Sequence, residues 1–292
     1  MKPTALVTCA ILALAAICAH AQTHKQTATV GASKETKAAE LTNFCLTPDG
    51  DILACDAKSK VVRVIAPDDK LKATWSIPFA PESIALLANG GCVVAGPNKV
   101  AILDKAGAVL KSADVPAAKN SARSPGAAVL GEDIFVCARA NTGFSIFRFD
   151  KDLGGAKEIV GSLRGCCGCL DIRSDGKSLY ACENAKHHVI RYDRDGKQLS
   201  EFGKNDPGTL EGFGGCCEPK NVTFGANGDI YTSESANCRI KKYSADGKCT
   251  LVGMVDSKKG CLQVTIGVSK DGDKIYFLDS GESLIRVLTH TP

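Results

Sequence analysis

One short pattern recurs six times and constrains the fold of this chain more than any other feature. Each copy has an apolar stretch, a tight turn that usually contains Asp-Gly or Asn-Gly, and a second apolar stretch. The copies span residues 45–56, 85–96, 129–138, 172–183, 223–234 and 268–279. A small or apolar residue near the end of each copy recurs at intervals of 40 to 51 residues, at Cys55, Ala95, Cys137, Cys182, Ser233 and Leu278. This period is typical of propeller blades that are built from four strands.

The rest of each unit also has the pattern of β-structure. A polar turn is followed by an alternating strand, and a second turn with glycine often precedes a short fourth strand. No segment has a convincing helical period. The sequence therefore predicts an all-β fold, a six-bladed β-propeller of four-stranded antiparallel blades.

The last unit stops after its third strand, near Leu288. A blade without its outer strand would expose an unpaired edge, which folded proteins avoid. We expect the polar N-terminal segment to supply the missing strand, with residues near 26–34 pairing with residues 284–288 and closing the ring.

The N-terminus resembles an export signal. A positive charge at Lys2 precedes an apolar run of 14 residues, and residues 19–21 fit the small-x-small rule for signal peptidase. The run is too short to span a bilayer comfortably. The sequence predicts a periplasmic or secreted protein without a membrane anchor, with a cleaved signal peptide over 1–21, a polar linker that includes a closing strand over 22–40 and a propeller over 41–292.

The repeats also carry a family resemblance. The copies at 172–197 and 224–248 match the pattern of an inner strand, Asp-Gly, a strand that ends in an acidic residue, and then Asn-x-Arg-Ile or a close variant. The chain resembles NHL-repeat propellers over about 41–290. This family includes protein-binding scaffolds, calcium-dependent lactonases and a copper-associated lyase domain, so the resemblance implies the fold and leaves the function open.

Composition excludes one class of function and raises one question. With 36 basic and 32 acidic residues the net charge is +4, which argues against a strong nucleic-acid binder. The chain has 15 cysteines, and removal of Cys9 and Cys18 with the signal peptide leaves an odd number. Cys55, Cys137 and Cys182 occupy the repeat position that is alanine or serine in other blades, so we expect them in the core.

A second class of cysteines precedes the inner strands of three consecutive units. In a propeller these segments connect the outer strand of one blade to the inner strand of the next and emerge together around the channel mouth. The turns between second and third strands emerge on the same face, with His187 and Cys238 at equivalent positions. The candidate metal ligands at this mouth are Cys166, Cys167, Cys169, Cys216, Cys217, Cys261, His187 and Cys238.

Three states of the mouth cysteines are compatible with the sequence. They bind copper, zinc or an iron–sulfur cluster, they form disulfides, or they form a thiol–disulfide redox site. The main functional hypothesis is a Cys-rich metal or metal-cluster site that serves redox chemistry or ligand binding, with an unknown protein or small molecule as partner. The alternatives are a disulfide-stapled scaffold that binds a protein or glycan without catalysis, and a channel-metal hydrolase or lyase of the lactonase kind.

Weaker candidates line the predicted channel. Polar residues near the starts of inner strands could bind a cation there, namely Asn43, Glu82, Asp171 and Asn221. We expect Lys241, Lys242 and the scattered arginines to lie on solvated strand faces. The sequence contains no phosphate-binding loop, no Ser-His-Asp arrangement and no His-Glu-x-x-His motif, and so leaves open whether the protein is an enzyme.

Overall fold

The computed structural model describes residues 22–116, 125–140, 142–244 and 246–292. Over these residues the chain forms six four-stranded antiparallel sheets, two short 3-10 turns (Asn184–Lys186 and Ala226–Gly228) and no α-helix, which confirms the predicted fold class. The strands are β1 (His24–Val30), β2 (Leu41–Leu46), β3 (Ile52–Asp56), β4 (Val61–Ile65), β5 (Leu71–Ser76), β6 (Ser83–Leu86), β7 (Cys92–Gly96), β8 (Lys99–Leu103), β9 (Val109–Asp114), β10 (Gly126–Leu130), β11 (Asp133–Ala140), β12 (Gly143–Phe149), β13 (Lys157–Leu163), β14 (Ile172–Ser174), β15 (Leu179–Glu183), β16 (His188–Tyr192), β17 (Gln198–Phe202), β18 (Asn221–Phe224), β19 (Ile230–Glu234), β20 (Arg239–Tyr243), β21 (Cys249–Met254), β22 (Ile266–Val268), β23 (Lys274–Asp279) and β24 (Leu284–His290).

Each predicted repeat corresponds to one blade. Blades 1 to 5 are β2–β5, β6–β9, β10–β13, β14–β17 and β18–β21, and in each the first strand is innermost. Glycines in the turns between first and second strands have positive φ, such as Gly50 (87°) and Gly176 (82°). Only glycine adopts this conformation without steric cost, which explains the recurring Asp-Gly and Asn-Gly pairs.

The hydrophobic core lies between neighbouring blades. Val93 and Ala95 of blade 2, for example, belong to the same buried cluster as Ile134, Val136 and Phe147 of blade 3. The small-residue position of each repeat faces this layer, and the side chains of Cys55, Cys137 and Cys182 are fully buried, as predicted.

The N-terminal strand closes the ring. Blade 6 has the order β22, β23, β24, β1, and β1 runs antiparallel to β24 from the pair His24–His290 to the pair Val30–Ile285. The paired segment therefore begins and ends a few residues earlier than expected. The predicted signal peptide at 1–21 lies outside the described residues. Among the residues that the structure describes, no helix is long and apolar enough to cross a membrane.

Candidate metal centre

Three connections between blades meet on one face of the ring, the mouth face. They are residues 164–171 before β14, 203–220 before β18 and 255–265 before β22. The turns between second and third strands hold them in place: the Cys166 N–H donates to Asn184 Oδ1 (2.8 Å), and Ser235 Oγ bonds both Glu218 Oε1 and the Gly260 carbonyl. The connections and these turns thus share one face.

Five thiols converge on this face and form the thiol cluster. Sγ of Cys216 lies 2.8 Å from Sγ of Cys261 and 3.3 Å from Sγ of Cys217, and the third side of this triangle is 3.4 Å. Sulfurs of Cys166, Cys167 and Cys217 form a second group, in which all ligand atoms lie within 4.8 Å of one another. Cys217 belongs to both groups, so the cluster joins blades 4, 5 and 6.

The spacing of these sulfurs suits a metal ion. A tetrahedral ion with metal–sulfur bonds of about 2.3 Å holds its sulfurs about 3.8 Å apart. The measured separations in the first group are 2.8 to 3.4 Å, so small side-chain rotations would open it around an ion. Cys167, Cys216 and Cys261 are exposed while Cys217 is buried, which gives an ion access from solvent and a protected ligand beneath.

A tight turn positions the first vicinal pair. The Cys169 N–H donates to the Cys166 carbonyl (3.0 Å), and Cys167 and Gly168 between them have φ of 55° and 71°. This turn directs Cys169 inward, where its Sγ contacts the Cys167 carbonyl (3.5 Å) and Gln263 Oε1 (3.9 Å). Cys169 belongs to neither three-sulfur group among the described residues.

Lys220 is a functional candidate that sequence reasoning missed. Its ammonium is buried and donates to Cys217 Sγ at 2.8 Å. Burial acts to raise the pKa of Cys217, but Lys220 and the neighbouring thiols outweigh it and lower that pKa overall. Burial likewise opposes the charge of Lys220, yet Cys217 and Glu218 raise the pKa of the ammonium. The contact between the two groups therefore favours the thiolate form of Cys217 and the ammonium form of Lys220.

The other thiols of the cluster bind protons more tightly. Hydrogen bonds with Cys261 and Cys217 raise the pKa of Cys216 to about 12. Cys217 thus has the lowered pKa among the five thiols of the cluster, and the other thiols would lose protons when an ion binds. The sequence feature that could have identified Lys220 is its position three residues after Cys217, directly before an inner strand.

His187 and Cys238 lie on the mouth face but in neither three-sulfur group. Both have positive φ (61° and 49°), as do Lys60, Asn98 and Ser283 in the corresponding turns of other blades. Their equivalent positions therefore reflect a turn that the blades share. Cys238 Sγ is buried against the carbonyls of Ser235 (3.5 Å) and Ser257 (3.3 Å). His187 is buried, which lowers its pKa, and its Nδ1 has no hydrogen-bond partner in the described residues.

Two of the weak candidates for a cation site in the channel are bonded to an arginine. Arg173 was expected on a solvated face, but it reaches across the channel and donates to Asp171 Oδ2 (3.3 Å), Asn43 Oδ1 (2.9 Å) and the Ile84 carbonyl (3.4 Å). Asn221 bonds Asp171 and the Ile266 N–H. A guanidinium therefore bonds two of the four polar candidates, Asn43 and Asp171, and its positive charge disfavours a second cation beside them.

Comparisons with known proteins support the fold. No family model matches the chain, and no curated protein matches it in sequence. Solved structures of similar fold include virginiamycin B lyase from Staphylococcus aureus, with a TM-score of 0.61 and 16% identity over 92% of this chain and 100% of that one. A calcium-binding protein, regucalcin from Agrobacterium tumefaciens, gives 0.64 and 12% over 91% and 94%. A gluconolactonase from Xanthomonas campestris gives 0.60 and 11% over 87% of each chain.

These identities define a class, the six-bladed β-propellers, and nothing narrower. Proteins in this group act on different molecules, and at 11–16% identity a shared fold does not transfer an activity. The function has to be argued from the site of this chain.

Proposed function

We propose that this protein is an exported NHL-type β-propeller that binds a thiophilic metal ion, Cu(I) above others, through its thiol cluster. The observation that carries the proposal is the pair of three-sulfur groups that share Cys217. In each group two adjacent cysteines meet a third that lies 44 to 51 positions away in the chain. Packing gives no reason for thiols to meet at an exposed rim.

The number and type of ligands favour copper over the other candidates. Thiolates select soft ions such as Cu(I) and also bind zinc. Structural zinc takes four protein ligands, whereas each group here offers three sulfurs. In an iron–sulfur cluster the thiolates are spread around a core of irons and sulfides, whereas here three sulfurs lie within 4.8 Å of one another.

Metal analysis tests the proposal. The protein, reduced and loaded with Cu(I) under anaerobic conditions, should retain about two ions per chain after desalting. We expect two because there are two three-sulfur groups, which have Cys217 in common. Cys217→Ser removes the shared ligand and should lower retained copper at least tenfold. Cys182→Ala is the matched control, since this buried cysteine occupies the position that is Ala95 in blade 2, and its copper content should equal that of the wild type.

Loss of copper in both variants, or in neither, would contradict the assignment. If zinc is retained in place of copper, the thiol cluster is still a metal site, but the metal it prefers is zinc.

Export is supported by the pattern of residues 1–21, and N-terminal sequencing of the mature protein should begin at Gln22. The NHL assignment is supported by an acidic residue at the end of a second strand that pairs with an arginine of the third, as in Asp56–Arg63 and Asp279–Arg286.

A second candidate has its own observation. The Sγ atoms of Cys216 and Cys261 lie 2.8 Å apart and come from different connections, so a cross-link between blades 5 and 6 needs little movement. Oxidation by a small disulfide such as oxidised glutathione would join these two sulfurs, and the two thiol protons would pass to the reagent, which leaves as two thiols. Peptide mapping without reduction, before and after metal loading, should show that bound copper protects this pair.

A further inference from the structure

A cavity opens into the channel on the face opposite the thiol cluster. It has a volume of about 290 Å³ and is lined by inner-strand residues of all six blades. Its wall combines apolar side chains with polar groups in similar proportion, and the apolar side chains include Phe44, Leu46, Leu86, Phe224 and Val268. The volume is at the low end of the range for ligand pockets, so the cavity suits a small molecule.

Arg173 forms the inner end of this cavity and, among the described residues that line it, is the one with a charged side chain. A guanidinium has five N–H groups. Three of them donate to Asp171, Asn43 and the Ile84 carbonyl, which fixes the plane of the guanidinium and leaves two for a ligand. None of the described residues that line the cavity is acidic, and Asp171 lies beyond the guanidinium, toward the mouth face.

We propose that this cavity binds a small monocarboxylate with an apolar, preferably aromatic, body. The carboxylate would accept hydrogen bonds from the two remaining N–H groups of Arg173, since guanidinium and carboxylate match in geometry and charge. The apolar body would contact Phe44 and Phe224 near the cavity wall. Arg173 comes from blade 4 and bonds to blades 1 and 2, so it is held in position before any ligand arrives.

The site is separate from the thiol cluster. Lys220, Cys169 and Asp171 line a narrow pocket on the mouth side, while the cavity lies on the other side of Arg173. The proposal therefore stands or fails independently of metal binding. Cys217→Ser, which should abolish copper retention, should leave binding of the carboxylate unchanged.

Calorimetric titration at pH 7.5 with 3-phenylpropanoate and its neutral isostere, 3-phenylpropanamide, tests the proposal. We expect saturable binding of the acid and affinity at least tenfold weaker for the amide. Arg173→Lys keeps a positive charge but loses the planar fork, and should weaken acid binding at least tenfold. Because Arg173 also joins blades, unfolding of this variant is checked by circular dichroism.

A second variant keeps the test independent of that risk. Val268→Trp places a large ring in the cavity at the end of β22 and should abolish binding of the acid. Leu199→Trp, on the exposed outer strand β17, is the matched control and should bind as the wild type does. Absence of saturable binding of the acid, equal affinity for acid and amide, or unchanged binding by Val268→Trp would each overturn the proposal.

Discussion

At the scale of single residues, Lys241 of β20 is a cation whose side chain is fully buried. Its Nζ lies 3.2 Å from Glu234 Oε1 and donates to the carbonyls of Leu210 (3.1 Å) and Gly212 (2.9 Å). The ammonium also lies 3.8 Å from the centre of the Phe213 ring. Leu210, Gly212 and Phe213 belong to the connection 203–220, so Lys241 holds against blade 5 the segment that carries Cys216 and Cys217.

Replacing this lysine should be costly. Among the described residues, Lys241→Met leaves Arg239 as the remaining charged partner of the buried Glu234 carboxylate, and removing one member of a buried pair costs about 3 kcal/mol or more. Urea denaturation should show this loss in the free energy of unfolding. Lys242→Met, a neighbour on the more exposed face, should change it by about 0.5 kcal/mol or less. Similar effects for both variants would refute this account.

The sequence predicted the core cysteines and the mouth cysteines but misjudged two cations. Cys55, Cys137 and Cys182 were predictable because the repeat itself shows alanine at their position. Lys241 was expected to be solvated because strand alternation does not reveal that a long connection covers blade 5 there. Arg173 was misjudged for a related reason, since its partners Asn43 and Ile84 come from distant repeats.

At the scale of elements, β1 depends on a buried histidine. His24 Nε2 bonds the Gly272 carbonyl (2.9 Å) and Nδ1 bonds Thr23 Oγ1 (2.9 Å), so a neutral ring that donates from Nε2 and accepts at Nδ1 satisfies both contacts. Burial lowers the pKa of this imidazole, and nearby His290 and Lys242 act in the same direction. The folded protein thus favours the uncharged ring.

Closure of the ring should therefore weaken in acid. The pKa of His24 is lower in the folded than in the unfolded chain, so the unfolded chain binds more protons below about pH 6.5 and stability falls there. Thermal unfolding between pH 7.5 and 5.0 should show a smaller fall in Tm for His24→Gln than for the wild type.

Ala28→Gln serves as the control, because Ala28 is exposed on the same strand and the change adds no ionisable group, so this variant should keep the dependence of the wild type. An equal fall in Tm for all three proteins would show that His24 has no part in it. The sequence predicted that an N-terminal strand pairs with the last strand, from the missing edge alone. The predicted strand, near residues 26–34, begins later in the chain than β1 does. Nothing in a polar segment indicates that His24 is buried.

At the scale of the whole molecule, the ring positions thiols that are far apart in the chain. Equivalent connections of blades 4, 5 and 6 place five sulfurs within two overlapping groups. The repeat was sufficient to predict this meeting, because equivalent connections of a propeller share one face. Cys169 lies outside both groups and Lys220 contacts Cys217 because of individual turn conformations. Periodicity in the sequence does not reveal these conformations.

Metal binding should stabilise the folded ring. An ion that binds the native cluster and not the unfolded chain raises the free energy of unfolding by about 2.7 kcal/mol at a concentration of 100 times Kd. Differential scanning calorimetry of the reduced protein should show a higher Tm with Cu(I), reversed by a chelator. Cys217→Ser should show no such shift, whereas Cys182→Ala should respond as the wild type does. A shift that persists in Cys217→Ser would place the ion elsewhere.

The ring is closed by the pairing of β1 with β24 in blade 6. The thiol cluster includes Cys261, which lies in the connection that leads into the same blade. Blade 6 is held on one side by strand pairing between the two ends of the chain, and on the other an ion at Cys216, Cys217 and Cys261 would lock it to blade 5. An occupied cluster would thus restrain the blade whose strands come from both ends of the described chain. Resistance of β1 and β24 to proteolysis would then show whether a metal ion occupies the thiol cluster.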